Sequence, residues 1–148
     1  INVGSVPNSL QLDNAGNLWV LSAGAPSYAG TETGGMLSKI NTTSNEVVSH
    51  LDFETTEHPN LLSIDGSNLY YYLNGSVYEI DNSATDLPSS SMLDGLNFYG
   101  MTAAEGKLYG TDAGDYASKG TLTIIDINSK TILKTFTVGI VPGGVYFN

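Results

Sequence analysis

An internal repeat limits the fold of this chain more than any other feature of its sequence. Three segments, NLWVLS, NLYYYL and KLYGTD, share one pattern, and each directly follows a turn that contains glycine. Each is then followed by a second apolar alternation, which ends at Asn41, Asp81 or Asp126. These three end points lie 40 and 45 residues apart, which is the period typical of propeller blades.

The residues between the turns favour β-strands over helices. Leu122 and Ile124 alternate with Thr121 and Thr123, which is the two-residue period of a strand whose two faces differ. The Asn-Gly pair at 74–75 predicts a two-residue hairpin in which both residues take positive φ. We therefore predict an all-β chain, a β-propeller of four-stranded antiparallel blades with about three and a half blades present.

The repeat also predicts where each blade lies. We place blade one at about residues 7–53, blade two at about 58–94 and blade three at about 98–138, with the first strand of a further blade at 143–147. The opening VGSVP and the closing VGIVP are then the same crossing between blades, met twice. Three blades cannot close a ring, so we expect the remaining half of the propeller, or a second copy of this chain, to cover the exposed edges.

Charge and composition restrict the partners. Fifteen acidic residues against five basic ones give a formal net charge of -10. A negative surface opposes binding to phosphate backbones, so we exclude nucleic acid as a partner. The chain has no cysteine, which excludes a thiol nucleophile, a disulfide framework and a thiolate metal site.

The familiar signatures of enzymes are missing from the sequence. It contains no Gly-x-Ser-x-Gly elbow, no His-Glu-x-x-His motif and no phosphate-binding glycine loop. His58 with Glu54 and Glu57 is better interpreted as a solvated acidic loop than as a metal site. We predict no catalytic residues, no metal and no cofactor, and hence that the chain is not an enzyme. Asp112 and Asp115 leave only weak calcium binding open.

Two long loops predict a binding function at one end of the channel. Residues 23–35 and 113–120 are longer than turns require, and ordering them costs entropy. Each loop carries a tyrosine that suits a flat ligand, although each tyrosine would serve equally well to cover its own loop. The crossings between blades add residues at the same end, which would otherwise only set the turns. The predicted ligand-binding residues are Asn8, Tyr28, Glu32, His58, Asn60, Phe98, Tyr99, Asp115 and Tyr116.

Four stretches of the chain resemble one protein family. VGSVPNSLQLDNAGNLWVLSAG, NLYYYLNGSVYEID, FYGMTAAEGKLYGTDAGDY and TVGIVPGGVYFN are similar to the C-terminal half of YncE-like seven-bladed β-propellers. Gut Bacteroidetes secrete these proteins, which are often labelled surface-layer proteins. The resemblance covers essentially the whole chain and implies half of a seven-bladed ring. It also implies a cell-surface or secreted location, as an outer-membrane lipoprotein in the full-length protein.

The resemblance and the loops together suggest a function. Some members of the family bind cobalamin and pass it to an outer-membrane transporter, so the resemblance implies a non-enzymatic propeller that captures a small ligand, such as a corrinoid. Capture predicts that Tyr28 and Tyr116 cluster with Phe98 or Tyr99 over one concave pocket. A first alternative is a platform for protein interactions in the cell envelope, which predicts a broad surface without a deep pocket.

A second alternative is a hydrolase. DNAGNLWV is also similar to sugar-lactonase propellers, whose catalysis uses a metal held by carboxylates near the axis. The predicted inner strands of this chain carry no acidic residue, so a hydrolase would need its chemistry in the missing half.

Overall fold

The computed structural model describes residues 1–147 as eleven β-strands and one short 3-10 helix, Ser27–Ala29. No helix within these residues has the length and apolar character needed to cross a membrane. The first sheet is antiparallel and pairs its strands in chain order; they are β1 Pro7–Leu12, β2 Asn17–Ser22, β3 Met36–Asn41 and β4 Glu46–Asp52.

Two further antiparallel sheets follow along the chain. The second sheet has three strands, which are β5 Asn60–Asp65, β6 Asn68–Leu73 and β7 Ser76–Asp81. The third sheet has four, which are β8 Gly100–Ala104, β9 Lys107–Asp112, β10 Lys119–Asp126 and β11 Thr131–Ile140. The prediction of an all-β chain with antiparallel sheets is confirmed. The predicted hairpin is also confirmed, because Asn74 and Gly75 have φ of 51° and 84°.

The second sheet lacks the fourth strand that the repeat predicts. In its place, a single bridge joins Val77 to Leu93, with the Val77 amide donating to the Leu93 carbonyl at 2.8 Å. The segment 82–99 that should supply the strand contains Pro88 and four serines, and proline cannot donate to a ladder. The prediction of four strands in every blade is therefore wrong for blade two.

Residues 143–147 form no strand, and their assignment as the first strand of a further blade stays a prediction. A strand needs a paired neighbour, and no ladder among the described residues includes this segment. It lies against the third sheet instead. The Thr102 hydroxyl donates to the Val145 carbonyl at 2.9 Å, and the rings of Tyr109 and Phe147 meet edge to face with centroids 4.9 Å apart.

Two apolar clusters hold the three sheets together. Between the first and second sheets are Trp19, Leu21, Leu37, Phe53, Leu62, Leu69, Tyr71, Leu73 and Ile80. The other cluster, between the second and third sheets, contains Tyr70, Val77, Met101, Ala103, Leu108, Ile125 and Ile127. Trp19 and Tyr70 occupy the same position of the repeat, and each packs between its own sheet and the next one, as the repeat predicts.

Polar side chains join the innermost strands of neighbouring sheets. The Gln11 amide of β1 donates to the Leu62 carbonyl of β5 at 3.1 Å. In the same way, the Ala103 amide of β8 donates to the Ser63 hydroxyl of β5 at 2.7 Å. Strands β1, β5 and β8 therefore lie side by side, and the loops that lead into them collect at one end of the molecule.

Candidate functional site

A groove of about 450 Å³ opens at this end, between loop 23–35 and the start of β5. Apolar side chains form most of its wall, and a few polar groups converge on it, a composition typical of small-molecule sites. Its lining residues are Val6, Asn8, Ala23, Gly24, Pro26, Tyr28, Ala29, His58 and Asn60. Four of these were predicted from the sequence, namely Asn8, Tyr28, His58 and Asn60.

Hydrogen bonds within loop 23–35 hold its two arms together. The Ala25 amide donates to the Thr33 hydroxyl, the Thr33 amide donates to the Ala25 carbonyl, and both distances are 2.9 Å. Gly24 has φ of 78°, and a Cβ there would clash with the Thr33 carbonyl oxygen, so glycine is required at this narrow point. The loop thereby carries Tyr28 on the 3-10 turn, where the side chain is 91% exposed.

His58 joins the loop to the crossing that leads into β5. Its Nδ1 lies 2.8 Å from the Ala23 carbonyl oxygen, and its Nε2 lies 3.1 Å from Glu32 Oε1. Only a protonated imidazole can donate from both nitrogens. The hydrogen bond to Ala23 and then the Glu32 carboxylate therefore raise the pKa of His58 above its ordinary value.

The two asparagines of the groove differ in their freedom to bind. Asn8 donates from Nδ2 to the Pro59 carbonyl at 2.9 Å and accepts from the Ser9 hydroxyl at 2.6 Å, so it mainly fixes the crossing. The side-chain amide of Asn60 has no hydrogen-bond partner among residues 1–147, and the residue is exposed. It can therefore both donate to a ligand and accept from it.

The floor of the groove contains a strained residue that the sequence analysis did not single out. Val6 has φ of 55°, a conformation rare for a β-branched side chain. Hydrogen bonds from the Ala23 amide to the Val6 carbonyl and from the Gly24 amide to the Ser5 carbonyl hold this conformation. Val141 in the closing phrase has φ of 51°. The valine before proline thus has positive φ in both phrases.

A second cavity, of about 200 Å³, lies at the same end of the third sheet. Its lining residues are Asn97, Phe98, Tyr99, Asp112, Ala113, Gly114 and Tyr116. The predicted cluster is therefore divided, because Tyr28 belongs to the groove while Tyr99 and Tyr116 belong to this cavity. Asn97 and Asp112 were not predicted as ligand-binding, although Asp112 carried the calcium hypothesis.

Three predicted ligand residues have other contacts that explain them. Phe98 lies over Gly110 and 5.9 Å from the Tyr72 ring, where it fills the space that a side chain at 110 would occupy. Asp115 accepts from the Ala117 and Ser118 amides at 3.0 and 2.7 Å, and it lines neither cavity. Glu32 reaches the groove only through His58.

The calcium pair of the sequence analysis is not assembled. Asp112 accepts from Asn97 Nδ2 at 3.0 Å and from the Gly114 amide at 2.7 Å, whereas the Asp115 carboxylate closes its own turn. Within residues 1–147, no three side chains of His, Cys, Asp or Glu form a group that could hold a metal ion.

One solved structure with a similar fold is the crystal structure of Myxococcus xanthus glutaminyl cyclase, with a TM-score of 0.58 and 16% sequence identity. The match covers 93% of this chain and 55% of the glutaminyl cyclase chain, so this chain spans about half the length of that protein. At this identity the likeness shows the fold alone, a β-propeller-like all-β architecture. No protein-family model and no curated protein sequence matches the chain.

This match corrects a prediction from the sequence. We predicted that the chain is not an enzyme because it lacks familiar catalytic motifs, yet the protein whose fold it shares is a glutaminyl cyclase, which is an enzyme. Missing motifs are weak grounds here, because one fold carries many functions and its sites are assembled from separate loops. The prediction of a non-enzymatic chain is therefore wrong and is withdrawn.

Proposed function

We propose that this chain is about half of a β-propeller ring and that its function is to bind a small ligand in the groove beside loop 23–35. A third aromatic residue at an equivalent position of the repeat supports the proposal that the chain is half of a ring. Tyr109 has the same position in the repeat as Trp19 and Tyr70, and it packs on Phe147 of segment 143–147. That segment thus takes the place of a next blade. The 55% coverage of the glutaminyl cyclase chain is in keeping with half a ring.

The observation that carries the binding function is an almost fully exposed tyrosine on an anchored loop. Tyr28 would gain little from its own loop, since 91% of it is open to solvent. Because the loop is cross-linked by hydrogen bonds and tied down by His58, the backbone that carries Tyr28 is held in place before any ligand arrives. Such preorganisation lowers the entropic cost of binding.

The groove favours a ligand that is flat and apolar on one face. Tyr28, Pro26 and Val6 offer apolar contact, while Asn60 offers hydrogen bonds. Both ring nitrogens of His58 are already engaged within the protein. A corrinoid such as cobalamin is the first compound to test, on the strength of the family resemblance. Delivery to an outer-membrane transporter, a cell-surface location and a second copy that closes the ring stay predictions from the sequence, as does the protein-interaction platform.

Calorimetric titration of the chain with cobalamin, followed by a panel of flat heteroaromatic compounds, tests the proposal. We expect Tyr28→Ser to weaken binding about tenfold, in line with the contribution of an aromatic contact. Tyr146→Ser is the matched control, because Tyr146 is 92% exposed and lies outside the groove. If no compound binds in a way that depends on Tyr28, the groove is not a ligand site.

A second candidate is catalysis in the same groove. It is favoured by one observation, the pairing of His58 Nε2 with Glu32 Oε1 at 3.1 Å beside an open cavity, which could transfer protons, together with the fold shared with a glutaminyl cyclase. Release of ammonia from a peptide with an N-terminal glutamine, abolished in His58→Gln, would support it. No release above the uncatalysed rate would exclude glutaminyl cyclisation.

A further inference from the structure

The small cavity beside the third sheet has two aromatic walls. The rings of Tyr99 and Tyr116 meet at 85° with centroids 5.6 Å apart, and both line the cavity. Neither ring is needed for the core, since Tyr99 is 43% and Tyr116 is 62% exposed. Aromatic side chains that enclose a small space attract cations through their ring faces.

The Asp112 carboxylate also lines the cavity, and no positively charged side chain of the described residues pairs with it. Both hydrogen bonds that the described residues give to Asp112 reach Oδ1, from Asn97 and from the Gly114 amide. Its Oδ2 therefore has no protein partner in residues 1–147. No lysine in this part of the chain forms an ion pair with Asp112, and the sequence contains just five basic residues.

Size and charge agree on the class of ligand. A cavity of about 200 Å³ admits a small head group rather than a whole cofactor. The net charge of -10 raises the local concentration of cations near the surface and repels anions. We propose that this cavity binds a small organic ammonium group, held by the rings of Tyr99 and Tyr116 and by the Asp112 carboxylate. This proposal is independent of the groove beside Tyr28.

The test compares choline with its neutral carbon isostere, 3,3-dimethylbutan-1-ol. The two probes have the same shape and differ in charge, so their comparison isolates the electrostatic part of binding. Binding is followed by NMR through the ring signals of Tyr99 and Tyr116. We expect choline to bind at least about fivefold more tightly than the neutral isostere, in line with about 1 kcal/mol for a partly exposed cation–π contact.

Two variants assign the binding to this cavity. Asp112→Asn keeps an oxygen that can accept the Asn97 and Gly114 hydrogen bonds while removing the charge, and we expect it to weaken choline binding about fivefold. Tyr99→Phe keeps the ring face and should bind choline as the unaltered chain does, whereas Tyr99→Leu should lose most of the affinity. This pair keeps the test valid even if Asp112→Asn proves unstable.

The source of the ammonium is resolved by a third probe, Nα-acetyl-lysine methylamide. Tighter binding of this probe than of choline assigns the site to a lysine side chain, and the reverse assigns it to a free quaternary amine; either result supports the proposal. Equal binding of choline and its neutral isostere, or no change in Asp112→Asn together with Tyr99→Leu, overturns it.

Discussion

The two long loops at the binding end occupy the same position in the first and third sheets, yet they are ordered by different means. Loop 23–35 is clamped by His58, which lies 35 residues from its partner Ala23 in sequence. Loop 113–120 is closed by Asp115, whose partners are two and three residues away. The first loop therefore depends on a tertiary contact, whereas the second is a local turn. Each is held by a titrating group, a histidine in the first loop and a carboxylate in the second.

The largest expected effects come from a feature that both loops share, a glycine packed closely against a backbone carbonyl. A Cβ at Gly34 would clash with the Glu54 carbonyl oxygen, and a Cβ at Gly120 would clash with the Asp112 carbonyl oxygen. We therefore expect Gly34→Ala and Gly120→Ala each to destabilise the chain by about 1–3 kcal/mol, measured by urea unfolding. The control is Gly139→Ala, because a Cβ at that position meets nothing. An equal loss in the control would show that these close approaches are unimportant.

A smaller expected effect, on hydrogen exchange, distinguishes the two loops. His58→Gln removes the imidazole that bridges Ala23 and Glu32, so we expect amides of loop 23–35 to exchange at least about fivefold faster, as for a lost charged hydrogen bond. Loop 113–120 should be unchanged. The matched variant Asp115→Ala should show the opposite pattern. Hydrogen exchange read by mass spectrometry measures both loops in one sample, and a change in both loops for either variant would contradict the comparison.

The smallest effect is a difference in the response to pH. Because the pKa of His58 is raised in the folded chain, its contribution is complete below the ordinary value of 6.5 and is lost as the pH rises through the folded-state pKa. The hydrogen bonds from the Ser118 and Ala117 amides lower the pKa of Asp115 below 3.8, so its contribution is present above 3.8 and is lost as the pH falls through the folded-state value.

We accordingly expect loop 23–35 to loosen on the alkaline side of pH 6.5 and loop 113–120 to loosen only in acid, below pH 3.8. Tyrosine ring signals of Tyr28 and Tyr116 report the two loops separately by NMR. If the Tyr28 signal does not change between pH 5.5 and pH 8.5, on either side of the ordinary value for histidine, His58 does not clamp the loop.

Most of the fold could be predicted from the sequence because its strands repeat with a fixed period and are bounded by glycine turns. A fourth strand was wrongly predicted for the second sheet. The spacing of the repeat continues through segment 82–99, but Pro88 and the serines oppose pairing there. Segment 143–147 has the alternation of a strand, but alternation cannot supply the neighbour that a strand needs.

The site was predicted only in part, for a physical reason. Asn8, Tyr28, His58 and Asn60 come together because the crossing and the loop adjoin in space. Phe98 lines the second cavity, but it also has a packing role that was not predicted. KLYGTD has glycine at 110 where NLWVLS has Val20 and NLYYYL has Tyr71, so the ring of Phe98 folds into that gap. A comparison of the repeats at this position could have revealed it.

The uneven outer edges of the sheets have a consequence for behaviour at high concentration. Strand β7 is covered by the bridge to Leu93, whereas β11 is a ten-residue edge strand with Ile132, Leu133 and Phe136 exposed. Such edges template intermolecular pairing. Lys134, whose ammonium lies 4.8 Å from the Phe136 ring centroid, is the one charge along this strand, and a charge on an edge strand opposes such pairing.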